Sequence, residues 1–314
     1  MMRTHVATRT FSDPALAAAA LRSGAGKYEV LERGDFHVES TVVELERLTL
    51  QCTSERLARV AHHALQPDRV ALLGWPRGLL PVVRGRQMKP GELMSFGRGT
   101  ESYHRTSASV DFAALSLDAS ELERVAIDLA GRALPLEGCG VLRPSDRSLA
   151  RLWSLVEDGR RVARATPQVF VSAEARRSFE QSLWHAAIRC LEDAAPLRET
   201  ATQVRRAKIM RRFERVVEAN GDTPLHVPEL CKLVGVPERT LRKCTQQHLG
   251  MSPHRYLLRR RILLARRALL RGDPSAGTVT SIAIRHGFWE LGRFSALYRK
   301  LFGEVPSATL RRSA

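Results

Sequence analysis

Two rhythms of apolar and polar positions divide the chain. From Tyr28 to about Leu117 the apolar residues come in short runs: "YEVLER", "FHVESTVVELERLTL", "VALLGW", "LPVV", "LMSF" and "SVDFAALSL". Gly/Pro punctuation such as Gly74-Trp75-Pro76, Arg84-Gly85-Arg86 and Pro90-Gly91 separates them. Many short strands with turns of this kind predict a barrel or sandwich. After Ser120 the spacing becomes helical. "SELERVAIDLAGR" reads as capped by Ser120 and closed near Gly131, "SDRSLARLWSLVEDGRR" as opening on Ser145, and "SAEARRSFEQSLWHAAIRCLEDA" on Ser172. In each case a hydroxyl is placed to accept from the free N–H groups of a first helical turn. In the last helix Phe179, Leu183, Ala187 and Cys190 form one apolar stripe, widened by Trp184 and Ile188. Such a stripe fits packing on the barrel or pairing with a second copy of the chain. Residues 196–204 read as a linker.

The remainder is helical almost throughout. "RRAKIMRRFERVVEAN" stops at Asn220-Gly221, and Pro228 sits where a first helical position tolerates proline, in a short helix ending at Gly235. Further helices are expected from about Pro237 to Leu249, from Ser252-Pro253 to Leu270-Arg271 with a stop at Gly272-Asp273-Pro274, and on either side of Gly287.

These helices contain an internal repeat. Leu230, Cys231, Gly235 and Val236 recur as Ile282, Ala283, Gly287 and Phe288, and Leu241, Gly250 and Pro253 recur as Phe294, Gly303 and Pro306. One extra residue falls in the second turn. The repeated grammar, a small residue, a glycine four positions on and then an apolar-anchored helix, is what a helix-turn-helix requires. In the final copy Phe294, Leu297, Tyr298 and Leu301 make the buried face, which leaves Glu290, Arg293, Ala296 and Lys300 opposite. In the first copy Leu241, Cys244 and His248 face inward, and Arg239, Arg242, Lys243 and Gln246 face out. Arg can bond guanine and Gln adenine with paired hydrogen bonds, so the outward set suits base edges; the bland alternative is a solvated helix face. Between the copies runs a helix of roughly 20 residues, or about 30 Å at 1.5 Å per residue. That approaches the roughly 34 Å between successive major-groove faces of B-DNA. The basic run Arg259-Arg260-Arg261 and the pair Arg266-Arg267 on this rod are candidates for the intervening phosphates, the alternative for Arg261 being an inward, structural role.

Charge sharpens this picture. The 314-residue chain carries a formal net charge of +17. Residues 205–314 hold 23 Lys and Arg against 8 Asp and Glu, leaving 27 against 25 for the rest. A basic module beside a near-neutral one points to a nucleic-acid footprint attached to something that senses or assembles. The five cysteines are scattered and form no CxxC pair, so free thiols are expected rather than disulfides or a zinc site. No apolar run is long enough for a membrane span, and Leu16 to Leu21 is too short for a signal peptide, which leads us to expect a cytoplasmic protein.

The runs "LCKLVGV", "LGMSPHRYLLRRRILLARRALL" and "IAIRHGFWELGRFSALYRKLFGEVPS" resemble the DNA-binding domain of the AraC/XylS family of bacterial transcription regulators. The resemblance implies double-stranded promoter DNA as partner, RNA polymerase as target, and a homodimer located with the nucleoid. It implies DNA contacts from Arg239, Arg242 and Lys243 in the first motif and from Glu290 to Arg293 in the second. Two positions depart from the pattern: Thr245 stands where an aromatic core residue is usual, and Ala296 where some relatives carry a basic contact. For the N-terminal part the resemblance implies a cupin-like barrel with helices that bind a small effector or dimerise.

The fold class expected is therefore α+β. Residues 1–195 form an effector-sensing or dimerisation domain, with the barrel at about 25–118 and helices at about 120–195, and residues 205–314 form an all-α double helix-turn-helix domain. Arg84, Arg86, Arg98 and Arg105 lie around the expected barrel mouth and suit an anionic effector, unless they are simply solvated. His62-His63 reads as a helix-end pair. No HxH pair is followed closely by glutamate, so neither a metal nor a cofactor is expected, and no nucleophilic triad or phosphate-binding loop argues for an enzyme. Two alternatives to an effector-responsive activator are a constitutive dimeric DNA binder and a metal-dependent cupin enzyme fused to a DNA-binding tail.

Overall fold

The computed structural model describes residues 5–31, 34–134, 136–197, 200–221, 223–271 and 278–313. The chain forms two compact units that divide between Thr200 and Ala201. The expected stop at residues 272–274 and the end of "YEVLER" lie outside the described residues.

The first unit is built on two antiparallel sheets. Its strands are β1 (Val6–Phe11), β2 (Gly24–Val30), β3 (Val38–Glu44), β4 (Leu48–Glu55), β5 (Arg59–Leu65), β6 (Arg69–Gly78), β7 (Val82–Val83), β8 (Arg86–Gln87), β9 (Leu93–Phe96), β10 (Glu101–Arg105), β11 (Val110–Asp118), β12 (Cys139–Arg143) and β13 (Ala195–Leu197). The larger sheet runs β1-β3-β4-β11-β6-β9-β12-β13 and the smaller β2-β5-β10-β7-β8. The two are not closed into one barrel, so the unit is an open sandwich. A short helix α1 (Pro14–Ala19) precedes β2, and α2 (Ala119–Ala130), α3 (Asp146–Ala165) and α4 (Ala173–Glu192) follow β11.

The period-2 rule explains why the central strands are apolar on both faces. In β6, Val70 and Leu72 join the core beneath the helices, while Ala71, Leu73 and Trp75 belong to the cluster on the other face. In β11, Ala113, Leu115 and Leu117 take the helix side and Phe112 the other. The α4 stripe of Leu183, Trp184, Ala187, Ile188 and Cys190 is buried in the helix-side core. It therefore packs within its own unit, and the alternative of pairing with a second copy through that stripe is set aside. Ser145 and Ser172 cap their helices as expected. The cap of α2 is Asp118, whose Oδ1 accepts from Ser120 N at 2.9 Å and Glu121 N at 3.0 Å, so Ser120 sits two residues on, within the first turn.

Several strands were illegible. "FHVESTVVELERLTL" splits into β3 and β4 around a tight turn closed by Leu45 N donating to Leu48 O at 2.9 Å. Strands β5 and β10 carry histidines and arginines at inward positions, which hid their alternation. His62-His63 lies in the middle of β5, not at a helix end. The expected linker, residues 196–204, begins inside β13, which pairs with β12, and ends inside the next helix.

The second unit is all helical: α5 (Ala201–Ala219), α6 (Val227–Val234), α7 (Glu238–Leu249), α8 (Pro253–Leu270), α9 (Val279–Arg285), α10 (Leu291–Phe302) and α11 (Pro306–Ser313). The sequence repeat reappears in the backbone. Val236 N donates to Cys231 O at 3.1 Å and Phe288 N to Ala283 O at 2.9 Å; Gly250 N donates to Gln246 O at 3.0 Å and Gly303 N to Arg299 O at 2.9 Å. Gly235 and Gly287 turn with φ of 74° and 78°, values that cost a side-chain-bearing residue strain. Helix α8 is unbroken over 18 residues, about 27 Å at 1.5 Å per residue. Its Tyr256 ring packs on Phe213 of α5, whereas Ile262, Ala265 and Leu269 enter the core of α9 and α10.

A Cβ at Gly287 would lie 3.0 Å from the Arg261 guanidinium as well as in the left-handed region. Gly287→Ala should therefore cost roughly 1–2 kcal/mol in urea unfolding. Gly292, with nothing within 4 Å of its Cβ position, is the control. Gly292→Ala should leave stability unchanged or slightly raised.

Candidate functional site

Each helix-turn-helix presents one polar face. On α7, Leu241, Cys244, Thr245 and His248 are buried, and Arg239, Arg242, Lys243 and Gln246 are exposed. Thr245, where an aromatic was expected, is fully buried and donates its hydroxyl to Arg242 O at 3.2 Å. On α10, Phe294 and Tyr298 are buried, Leu297 and Leu301 are half-buried, and Arg293, Ala296 and Lys300 are exposed, as is Glu290 at its N-terminal cap. Both faces carry the same device near the helix start. Arg242 pairs with Glu238 at 2.8 Å and Arg293 with Glu290 at 3.0 Å. Such exposed pairs add little stability, but they hold each guanidinium along the outer face.

The sequence reading missed Trp289. It occupies the turn that holds the extra residue of the second repeat and is 79% exposed. The signal was available, because nothing in the repeat gives a tryptophan there a buried position.

The basic run on α8 behaves differently from its expected phosphate role. Arg260 Nη2 donates to Val217 O at 2.9 Å and Gly221 O at 2.7 Å, closing the end of α5. Arg261 Nη1 donates to Gly287 O at 3.3 Å, and its guanidinium lies 5.3 Å from the Phe288 ring centroid. Arg259 is half-buried with interactions of its own. Arg267 is the exposed member. The assignment of Arg260 to phosphate is thus corrected to a cross-link between α8 and α5, and Arg261 takes its structural alternative.

The first unit contains a cavity between the two sheets, part of it open to solvent. None of Arg84, Arg86, Arg98 and Arg105 lines it. Arg84 donates to Cys139 O at 2.5 Å, Arg86 grips Glu92 through both terminal nitrogens at 2.8 and 2.6 Å, and Arg98 reaches Glu123 at 3.1 Å. Burial opposes ionisation of Glu92, but hydrogen bonds from Arg86 and Lys89 N hold its carboxyl below the usual range. Three of the four expected mouth arginines, Arg84, Arg86 and Arg98, are thus engaged within the protein, and the cavity lies apart from all four. The cavity walls are instead apolar: Leu65, Leu73, Trp75, Phe96 and Phe112 contribute most of the bulk. Its polar members include Arg59, His63 and His104. Arg59 forms a buried ion pair with Glu55 and lies 4.4 Å from the Tyr28 ring centroid. Burial, with the nearby Arg59 charge and a neighbouring histidine, lowers His63 to about 3 and His104 well below its ordinary value. Both imidazoles are neutral near pH 7. The sequence hid this site because Gln51, Thr53 and Glu55 alternate along β4 like a solvent face, whereas they line the interior. All five cysteines are free, and burial pushes the Cys52 and Cys190 thiols up to about 12.

Residues 230–312 match the family model described as a helix-turn-helix domain. The XylDLEGF operon transcriptional activator of Pseudomonas putida is 39% identical over 105 residues, 32% of each chain. The HTH-type transcriptional activator RhaS of Pectobacterium carotovorum is 44% identical over 79 residues, 25% of this chain and 27% of its own. The chain spans about a third of the length of these curated relatives. A solved structure of a probable AraC family transcriptional regulator from Rhodopseudomonas palustris is 37% identical over 33% of this chain and 96% of that one, with a TM-score of 0.31.

The two kinds of arginine on α8 are separable by experiment. Arg260→Ala should lower unfolding stability by about 2–3 kcal/mol through its lost charge-assisted bonds. It should leave the salt dependence of DNA affinity unchanged. Arg267→Ala should leave stability within about 0.5 kcal/mol. A titration of DNA affinity against salt concentration should show the Arg267 slope reduced by about one unit.

Proposed function

We propose that this chain, which belongs to the AraC/XylS family of transcription regulators, is a sequence-specific DNA-binding transcription activator. The single observation that carries this reading is the duplicated polar face of α7 and α10, joined through the continuous α8 within one basic unit. Each helix enters a major groove. Arg239, Arg242, Lys243 and Gln246 serve the first, and Glu290, Arg293 and Lys300 the second. Arg and Gln offer donor geometries that match guanine and adenine, and Glu can accept from the cytosine amino group. The excess of 23 basic over 8 acidic residues from 205 onward supplies the sequence-independent attraction to phosphates. Trp289 adds an apolar edge beside the second set, suited to a thymine methyl.

The first unit makes the activity responsive to a small effector. Its cavity, enclosed by two sheets and lined mainly by apolar side chains with a few converging polar groups, has the composition of a ligand site. Pairing of two copies and contact with RNA polymerase complete the reading, on the strength of the family resemblance. The protein acts in the cytoplasm, where the nucleoid DNA is, and among the described residues no helix is long and apolar enough to cross a membrane.

Selection of binding sites from a random duplex pool, followed by titration of single-base variants, tests the assignment. Arg293→Ala and Arg242→Ala should each cost about 1–3 kcal/mol on the selected site and relax discrimination at one or two bases, in the second and first contacted segments respectively. Equal losses on selected and random DNA would make these residues phosphate contacts instead.

A further inference from the structure

The cavity in the first unit has a polar pole whose chemistry restricts what it can hold. Arg59, which lines the cavity, is 3% exposed and gives its Nε to Glu55. Its Nη1 is buried and has no hydrogen-bond partner. His104, from β10, the strand paired with β5 in the same sheet, also lines the cavity, is 3% exposed and has its Nε2 buried without a partner. A buried polar atom left unpaired is costly, and native interiors contain few of them. Two such atoms on side chains that line one mainly apolar cavity mark the place where a ligand atom completes the bonding.

The charge balance at this pole is closed before any ligand arrives. Arg59 is neutralised by Glu55, and His63 and His104 are uncharged near neutral pH. Tyr28, against the Arg59 guanidinium, is held in its neutral phenol form chiefly by burial and then by the Glu55 charge. A carboxylate or phosphate entering here would bring a charge out of water with no free counter-charge to meet it, and a buried charge without a partner is strongly disfavoured. A neutral oxygen meets the available hydrogen-bonding atoms without that cost. Ser23, Gln51, Thr100 and Thr106 add polar wall, but the bulkier side chains, Leu65, Leu73, Trp75, Phe96 and Phe112, favour a hydrocarbon or aromatic body.

We propose that this cavity binds an uncharged, largely apolar small molecule ending in a carbonyl, ester or alcohol oxygen, with that oxygen seated between Arg59 Nη1 and His104 Nε2. This narrows the effector-responsive reading and rests on it only for its biological consequence.

The test uses the full chain and matched probes at pH 7.5: acetophenone, methyl cinnamate and 2-phenylethanol beside benzoate, cinnamate and phenylacetate. Isothermal titration should find binding of at least one neutral probe, with its carboxylate counterpart at least tenfold weaker. His104→Phe keeps the ring but removes Nε2, and should weaken the bound probe about fivefold to tenfold, the loss of one buried hydrogen bond. Ala114→Phe fills the space and should abolish binding. Both variants are first shown by thermal melting to be folded. Carboxylates binding as tightly as their neutral partners, no neutral probe binding, or binding indifferent to both folded variants would overturn the proposal. DNA affinity measured with and without the bound probe separates the two ideas. An unchanged DNA affinity beside intact, charge-selective binding removes the effector-responsive reading while the site stands.

Discussion

Two adjacent side chains hold the DNA-binding unit in register. Arg260 and Arg261 leave the same turn of α8 and donate to backbone carbonyls on opposite halves, Arg260 to the end of α5 and Arg261 to the turn glycine between α9 and α10. Neighbouring residues on a helix point about 100° apart, so consecutive arginines are the natural means of tying one rod to two partners. The apolar residues of α8 repeat the division: Tyr256 packs on the first half, and Ile262, Ala265 and Leu269 on the second. Because the helix between them is continuous, the separation of α7 from α10 is a property of the protein and not of the DNA it meets.

That constraint gives the exposed charges their meaning. An arginine on a freely tumbling helix contributes mostly non-specific attraction. One held along a fixed face, at a fixed distance from a second such face, can be matched to base edges. The Glu238–Arg242 and Glu290–Arg293 pairs extend the same logic to single side chains. The first unit is organised by a different economy. Its central sheet is sealed on one face by α2, α3 and α4, and on the other by a second sheet that leaves room for a ligand. Each unit therefore has its own core.

The repeat was readable in the sequence because it depends on local geometry. A left-handed glycine and a small residue at a helix crossing leave marks at fixed spacing, and the hydrogen bonds fall at the same offsets as the residues. The faces of α7 and α10 followed from helical periodicity. The fate of Arg260 did not, since a guanidinium reaching carbonyls of α5 and the turn after it has the same local sequence as one facing solvent. The cavity was hidden for a related reason. The polar alternation of β4 and the histidines of β5 and β10 look like a solvent face until the second sheet covers them. Of the arginines read as an anion trap, Arg84, Arg86 and Arg98 bond a nearby carbonyl or carboxylate. In an arginine-rich chain, local pattern shows where a charge is but not what it meets.

One rigid helix sets the spacing of the two reading heads, a proposal that DNA of altered spacing examines. The most direct test inserts base pairs between the two contacted segments of a selected site and measures affinity for each length. Five inserted pairs turn the second segment to the opposite face of the duplex, and ten restore its face but displace it by about 34 Å. Both insertions should reduce affinity to that of a single segment. Affinity that tolerates either insertion would show that the two heads move independently, and would contradict the account.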